Sequence, residues 1–253
     1  MAVPLHVVRA GPSDGPPVVL IHGSAADHTT WTIQLASSLR DRFALIAYDR
    51  RDDVITVEEH ADDAAGLVAD RPVIAVGSSF GAVIALDLAR RYPDRVSGLV
   101  LCEPPLAASD AAPAAPEGFH ARFDQIVATE GGEAAAEFFL RAVLGDATYD
   151  RMPRAFQDRS KALWRAIRAD SRALDAYRPR YAELADVTVP ALLLGGDRSA
   201  PYFRPTLEAL RDALGAARLE TLAGAGHMMH AEAARTFNAR IAAFADELGY
   251  TAA

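Results

Sequence analysis

Five runs, PVVLIHG (17–23), FALIAYD (43–49), PVIAVGS (72–78), SGLVLCE (97–103) and PALLLGG (190–196), are continuously apolar, and each stops at a glycine or a polar residue. Strands with one buried face alternate apolar and polar side chains. Strands buried on both faces do not, so these runs predict a parallel sheet covered on both sides. Helical patterns fill the gaps. TVEEHADDAAGLV (56–68) opens with Thr56 and Glu59 at capping-box spacing, and Val57, Ala61, Ala64, Ala65 and Val68 share one face. Residues 80–92 follow Ser79 directly and stop before Pro93. Near the end, Phe237, Ile241, Phe244 and Leu248 form one stripe ahead of Gly249, a C-terminal cap signal. Strands alternating with helices pair in parallel through right-handed crossovers, so the expected fold class is α/β with a mostly parallel central sheet flanked by helices.

The alternation breaks after Glu103. PPLAASDAAPAAP (104–116) is a Pro/Ala-rich connector, and the helix-like pattern that follows carries aromatics such as Phe123, Phe139, Phe156 and Trp164 but no strand candidate. Strand character resumes at 187–195. An all-helical insertion between two strands of one sheet must lie over one edge of it. The expected organisation is therefore a core of residues 1–103 and 187–253, with residues 104–186 as linker and helical cap, or lid. Most of the inserted aromatics are expected to form the cap's own core, and some to line a pocket beneath it. At 253 residues the chain fits one domain with such an insertion.

Charge and cysteine content remove several functions. With 26 basic against 34 acidic side chains the net charge is −8, which disfavours nucleic acid and anionic membranes as partners. One cysteine, Cys102, leaves no internal disulfide framework and no thiolate zinc cluster, and its place in an apolar run makes it a buried filler. The opening MAVPLHVVRAGPSDGPP has no basic segment ahead of a long apolar run, and no apolar stretch approaches the ~20 residues of a membrane span. A cytoplasmic protein is expected. No Gly-rich phosphate loop, dinucleotide fingerprint or H-E-x-x-H pair occurs, so neither cofactor nor metal is expected.

Chemistry concentrates at Gly77-Ser78-Ser79-Phe80-Gly81. The G-x-S-x-G pattern fits only with Ser79 at its centre, because centring on Ser78 would require glycine where Val76 and Phe80 stand. The motif ends a buried strand and begins a helix, the setting of a nucleophile elbow, and the new helix aims free N–H groups at any negative charge formed there. Ser78 is expected to pack or to line the pocket rim. A serine hydroxyl needs a neighbouring imidazole to take its proton. His227 follows the strand candidate ARLETLAGAG and precedes the last helix, with Gly224 and Gly226 tightening its loop. His230 is a weaker candidate at the pocket or the surface.

HGS (22–24) with Trp31, YDRR (48–51), GSSFG (77–81), GGDRS (195–199) and GAGH (224–227) occur in this order. In these five motifs the chain resembles the α/β-hydrolases that carry a helical cap, over nearly its whole length. The resemblance implies that Ser79 is the nucleophile and His227 the base, that the backbone N–H groups of Ser24 and Phe80 bind the oxyanion, and that His22 braces its loop. The acid departs from the commonest pattern. Where a terminal Asp is usual after the penultimate strand, Ser199 stands, and Asp197 lies two residues early. Glu103 ends the strand that follows the elbow helix, resembling the haloalkane dehalogenases, which place their acid there. Glu103 is preferred and Asp197 is the alternative. Arg50, Arg51, Asp52 and Asp53 replace the family's usual Gly-rich turn in a short loop, so the resemblance does not define the pocket rim on that side.

The expected function is a cofactor-independent serine hydrolase acting on a small ester, thioester or related acyl substrate. A serine nucleophile disfavours dehalogenase or epoxide-hydrolase chemistry. The alternatives are carbon–carbon bond hydrolysis, acyl transfer or cyclisation on the same fold, or a catalytically silent ligand-binding relative.

Overall fold

The computed structural model describes residues 5–68, 71–113, 115–177 and 181–250. Residues 1–4, 69–70, 114, 178–180 and 251–253 lie outside this set. Seven strands form one sheet: β1 (Val7–Ala10), β2 (Pro17–Ile21), β3 (Ala44–Tyr48), β4 (Val73–Ser78), β5 (Val96–Cys102), β6 (Ala191–Gly196) and β7 (Ala217–Leu222). Their order across the sheet is β1-β3-β2-β4-β5-β6-β7. Among the described residues only β1 pairs antiparallel, against β3 at the edge; every other neighbour is parallel.

The helices follow in chain order: α1 (Thr32–Leu35), α2 (Val57–Leu67), α3 (Phe80–Arg91), α4 (Phe119–Thr129), α5 (Gly132–Leu144), α6 (Asp146–Arg151), α7 (Arg154–Ala162), α8 (Trp164–Ala176), α9 (Phe203–Ala213), α10 (Met229–Glu232) and α11 (Ala234–Glu247). Each strand sends alternate residues to opposite faces of the sheet. Val19, Ile21 and Ala75 pack with Ala61 of α2, Val83 and Leu86 of α3 and Leu207 of α9. Val18, Leu20 and Val76 pack instead with Trp31 and with Phe237, Ile241 and Phe244 of α11. This two-sided burial is the physical reason for the unbroken apolar runs. The Thr56 side chain accepts from the Glu59 N–H and its hydroxyl donates to Glu59 Oε2 at 2.7 Å, an N-cap that starts α2 with the carboxylate on the hydroxyl rather than on the Thr56 N–H.

Helices α4 to α8 all fall between β5 and β6. Phe123, Ile126, Leu140, Tyr149 and Ile167 gather into a third apolar cluster, which reaches the core through Ala25, just after β2. Phe156 of α7 departs from that pattern and stays 46% exposed. No helix among the described residues is long and apolar enough to cross a membrane.

Candidate active site

The C-terminal ends of the parallel strands converge on one edge of the sheet. Ser79 stands between β4 and α3 with φ 54° and ψ −123°, a conformation that costs a residue with a Cβ on the order of 1–3 kcal/mol. Packing enforces it. A Cβ on Gly77 would collide with the Gly81 carbonyl and Ala82 Cα, and one on Gly81 with the Ile21 carbonyl at the end of β2. Only glycine at both places lets the chain reverse while α3 lies this close to β2 and β4. The Ser79 N–H donates to the Cys102 carbonyl at 2.8 Å, fastening the bend to β5.

Next along the sheet, Glu103 leaves β5 with φ 45°. Its side chain is 1% exposed, and both oxygens are used. Oε1 accepts from the Gly196 N–H at 2.8 Å, and Oε2 lies 2.6 Å from His227 Nδ1. A carboxylate so buried requires partners of this strength. Asp197 is exposed past the end of β6, and among the described residues its carboxylate makes no hydrogen bond to His227. Ser199 Oγ is buried without a hydrogen-bond partner among the described residues. Glu103 and Asp197 are thus separated in space as they were not in sequence: one meets the imidazole and the other faces solvent.

His227 is held on three sides. Its ring stacks on Phe203, with centroids 4.4 Å apart and planes 8° from parallel, while Glu103 takes Nδ1. The GAGH loop is fastened by Glu232, which accepts from the Gly226 N–H at 2.6 Å and pairs with Arg198 at 3.2 Å. Phe203 and Glu232 escape a motif reading, because nothing in their local sequence marks a partner in another loop. His230 is buried in α10 against Trp31, and burial lowers its pKa to about 4.

Ser24 follows β2. His22 Nδ1 donates to the Gly23 carbonyl at 2.9 Å, and His22 Nε2 accepts from the Arg50 N–H at 3.2 Å, which fixes a neutral tautomer. Burial, then the Arg50 charge, lowers the His22 pKa to about 3. Among the described residues the N–H groups of Ser24, in a turn, and Phe80, the first of α3, donate to no protein acceptor, and a first helical N–H has no intrahelical partner. Cys102 is buried, and burial pushes its thiol pKa up.

Ser24, Ser78, Ser79 and His227 open onto one cavity of about 290 Å³. No hydrogen bond joins Ser79 to His227 among the described residues. The cavity's far wall comes from the insertion: Phe139, Val143 and Leu144 of α5, Met152, and Phe156 of α7. It is predominantly apolar, with Asp27 and Arg159 paired at 3.5 Å on its rim. Elsewhere His6, His28 and Asp49 bring possible metal-ligand atoms within 4.8 Å of one another, but Asp49 Oδ1 already accepts from the His28 N–H at 2.8 Å and pairs with His28 Nδ1 at 2.7 Å.

A model of the alpha/beta hydrolase family matches residues 18–240. The chain belongs to the alpha/beta hydrolase family. Relatives agree with it along different lengths. Over 103 residues it is 35% identical to the uncharacterized hydrolase YraK of Bacillus subtilis, a match that takes in 36% of this chain and 38% of that protein. The chain thus aligns with about two fifths of that relative's length. It is 24% identical to the carboxylesterase YbfK of Bacillus subtilis over 94% of this chain and 83% of that protein. Among solved structures, a thermophilic esterase from Thermogutta terrifontis superposes with a TM-score of 0.80 at 26% identity, covering 96% of this chain and 93% of that one.

Proposed function

We propose that this alpha/beta hydrolase is a serine hydrolase that cleaves an ester, thioester or related acyl substrate through an acyl-enzyme, with residues 104–186 as its cap. The observation that carries the reading is the 2.6 Å contact between His227 Nδ1 and Glu103 Oε2, which leaves Nε2 free to act as a base beside the cavity that Ser79 lines. His227 takes the Ser79 proton as Oγ bonds to the substrate carbonyl carbon. The carbonyl oxygen becomes an oxyanion held by the Ser24 and Phe80 N–H groups. The imidazolium, offset by Glu103, returns the proton to the leaving alcohol or thiol as its bond to carbon breaks. Water, deprotonated by the same histidine, then releases the acid and restores Ser79.

The apolar wall favours a hydrocarbon acyl group. At about 290 Å³ the cavity is near the small end of the ~300–1,000 Å³ range of ligand pockets, which suits short to medium chains. The esterase relatives support the same bond type. A panel of p-nitrophenyl esters of increasing chain length tests the reading. Turnover that peaks at short or medium chains and vanishes in Ser79→Ala supports it; turnover retained in Ser79→Ala contradicts it.

A further inference from the structure

Arg50, in the loop after β3, is buried at 5% side-chain exposure, and so is its partner Asp170 of α8 at 4%. The pair is a two-pronged fork: Nη1 donates to Asp170 Oδ1 at 2.9 Å and Nη2 to Oδ2 at 2.8 Å. The same Nη2 donates to the Gly23 carbonyl at 3.1 Å. That carbonyl belongs to the peptide whose other end is the Ser24 N–H. The guanidinium also lies 4.8 Å above the ring of Phe80, the other residue whose N–H faces the proposed oxyanion, and its Nη1 sits 3.3 Å from His60 Nε2.

We propose that Arg50 and Asp170 form a positioning device that docks the cap helix α8 and, through the Gly23 carbonyl, orients and polarises the Ser24 N–H as an oxyanion donor. This rests on the serine-hydrolase reading above. The peptide plane is rigid, so a bond that fixes its carbonyl also fixes where its N–H points. A positive charge at the carbonyl end draws electron density along the amide and strengthens donation from the other end. His22 Nδ1 holds the same oxygen at 2.9 Å, so the peptide is clamped by two donors, one charged. Asp170 belongs to the insertion, so this alignment is set only when α8 is seated. A surface pair could not couple the two parts in this way, because solvent would screen it.

The test separates positioning from scaffolding. Breaking a buried pair by removing one partner destabilises strongly, whereas replacing both with apolar residues of similar volume is often neutral. Arg50→Met/Asp170→Leu is therefore compared with the wild type for Tm, for ester kcat and KM, and for affinity towards an alkyl boronic acid, which becomes a tetrahedral anion on a serine. The expected result is a Tm within about 4 °C of wild type, kcat lowered ~10-fold with KM little changed, and boronate affinity falling in parallel. Arg50→Lys, which retains the charge but not the fork, is expected to lower kcat in the same way and covers the case in which the double variant fails to fold. A folded double variant with wild-type kcat and boronate affinity, or Arg50→Lys with both unchanged, overturns the inference. Ser79→Ala is assayed alongside: turnover surviving there contradicts the serine-hydrolase reading itself, whereas loss there with an unaffected Arg50 series overturns only the positioning role.

Discussion

At the scale of single residues, the site depends on where carboxylates end up rather than on how many there are. Glu103 spends one oxygen on the Gly196 N–H and the other on His227, so it cannot swing away without leaving a buried donor unpaired. Asp197, exposed, has no such constraint. Glu103→Ala should lower kcat/KM on an ester on the order of 10³-fold, because the imidazole loses both its orientation and its counter-charge. Asp197→Ala should stay within about twofold, as a surface substitution does. Steady-state kinetics on both variants measure this, and the reverse ranking would contradict the assignment. The place of Ser79 at the bend between β4 and α3 was readable in the sequence because glycine register is a local signal. The carboxylate beside His227 was legible there only as a preference for Glu103 over Asp197, since Glu103 and His227 meet across 124 positions. Arg50 and Asp170, 120 positions apart, carried no local sign of their pairing at all.

At the scale of elements, the elbow is a packing problem solved by two glycines. Gly81 starts α3 directly against the β2 backbone, and any side chain there must push helix from strand. Gly81→Ala should destabilise by about 3 kcal/mol or more, measured by urea denaturation, since the clash is with backbone that cannot rotate away. Stability close to wild type would show that α3 sits less tightly than described. The same logic explains which elements a sequence reader finds. Strands β2 to β6 are buried on both faces and announce themselves as apolar runs. Edge strand β1 does not, because VVRA is half-buried, four residues long and paired on one side only. Helix α9 was also unmarked: no side chain caps its start at Tyr202, and its buried face rests on Phe203, Leu207 and Leu210 alone among large apolar residues.

At the scale of the whole molecule, three buried histidines tie stability to pH. Burial is the first cause in each case, lowering the pKa of His22 to about 3, of His60 to about 2 and of His230 to about 4. The unfolded chain takes up these protons below about pH 6.5, while the folded chain resists them. Stability is therefore full above that value and falls on acidification, by ~1.4 kcal/mol per pH unit for each histidine until its folded value is reached. Denaturation midpoints should drop between pH 7 and pH 5, and His60→Leu should flatten the slope by about one proton; an unchanged slope would show that His60 is protonated in the fold. Strand ends on one sheet edge gather a strained serine, a held imidazole and an apolar cavity into the proposed hydrolytic site. The most direct measurement is labelling with an alkyl fluorophosphonate followed by peptide mapping. The account predicts a single adduct on Ser79 that forms in the wild type and Asp197→Ala and is lost in His227→Ala. No adduct on the wild type, or an adduct on another residue, would contradict it.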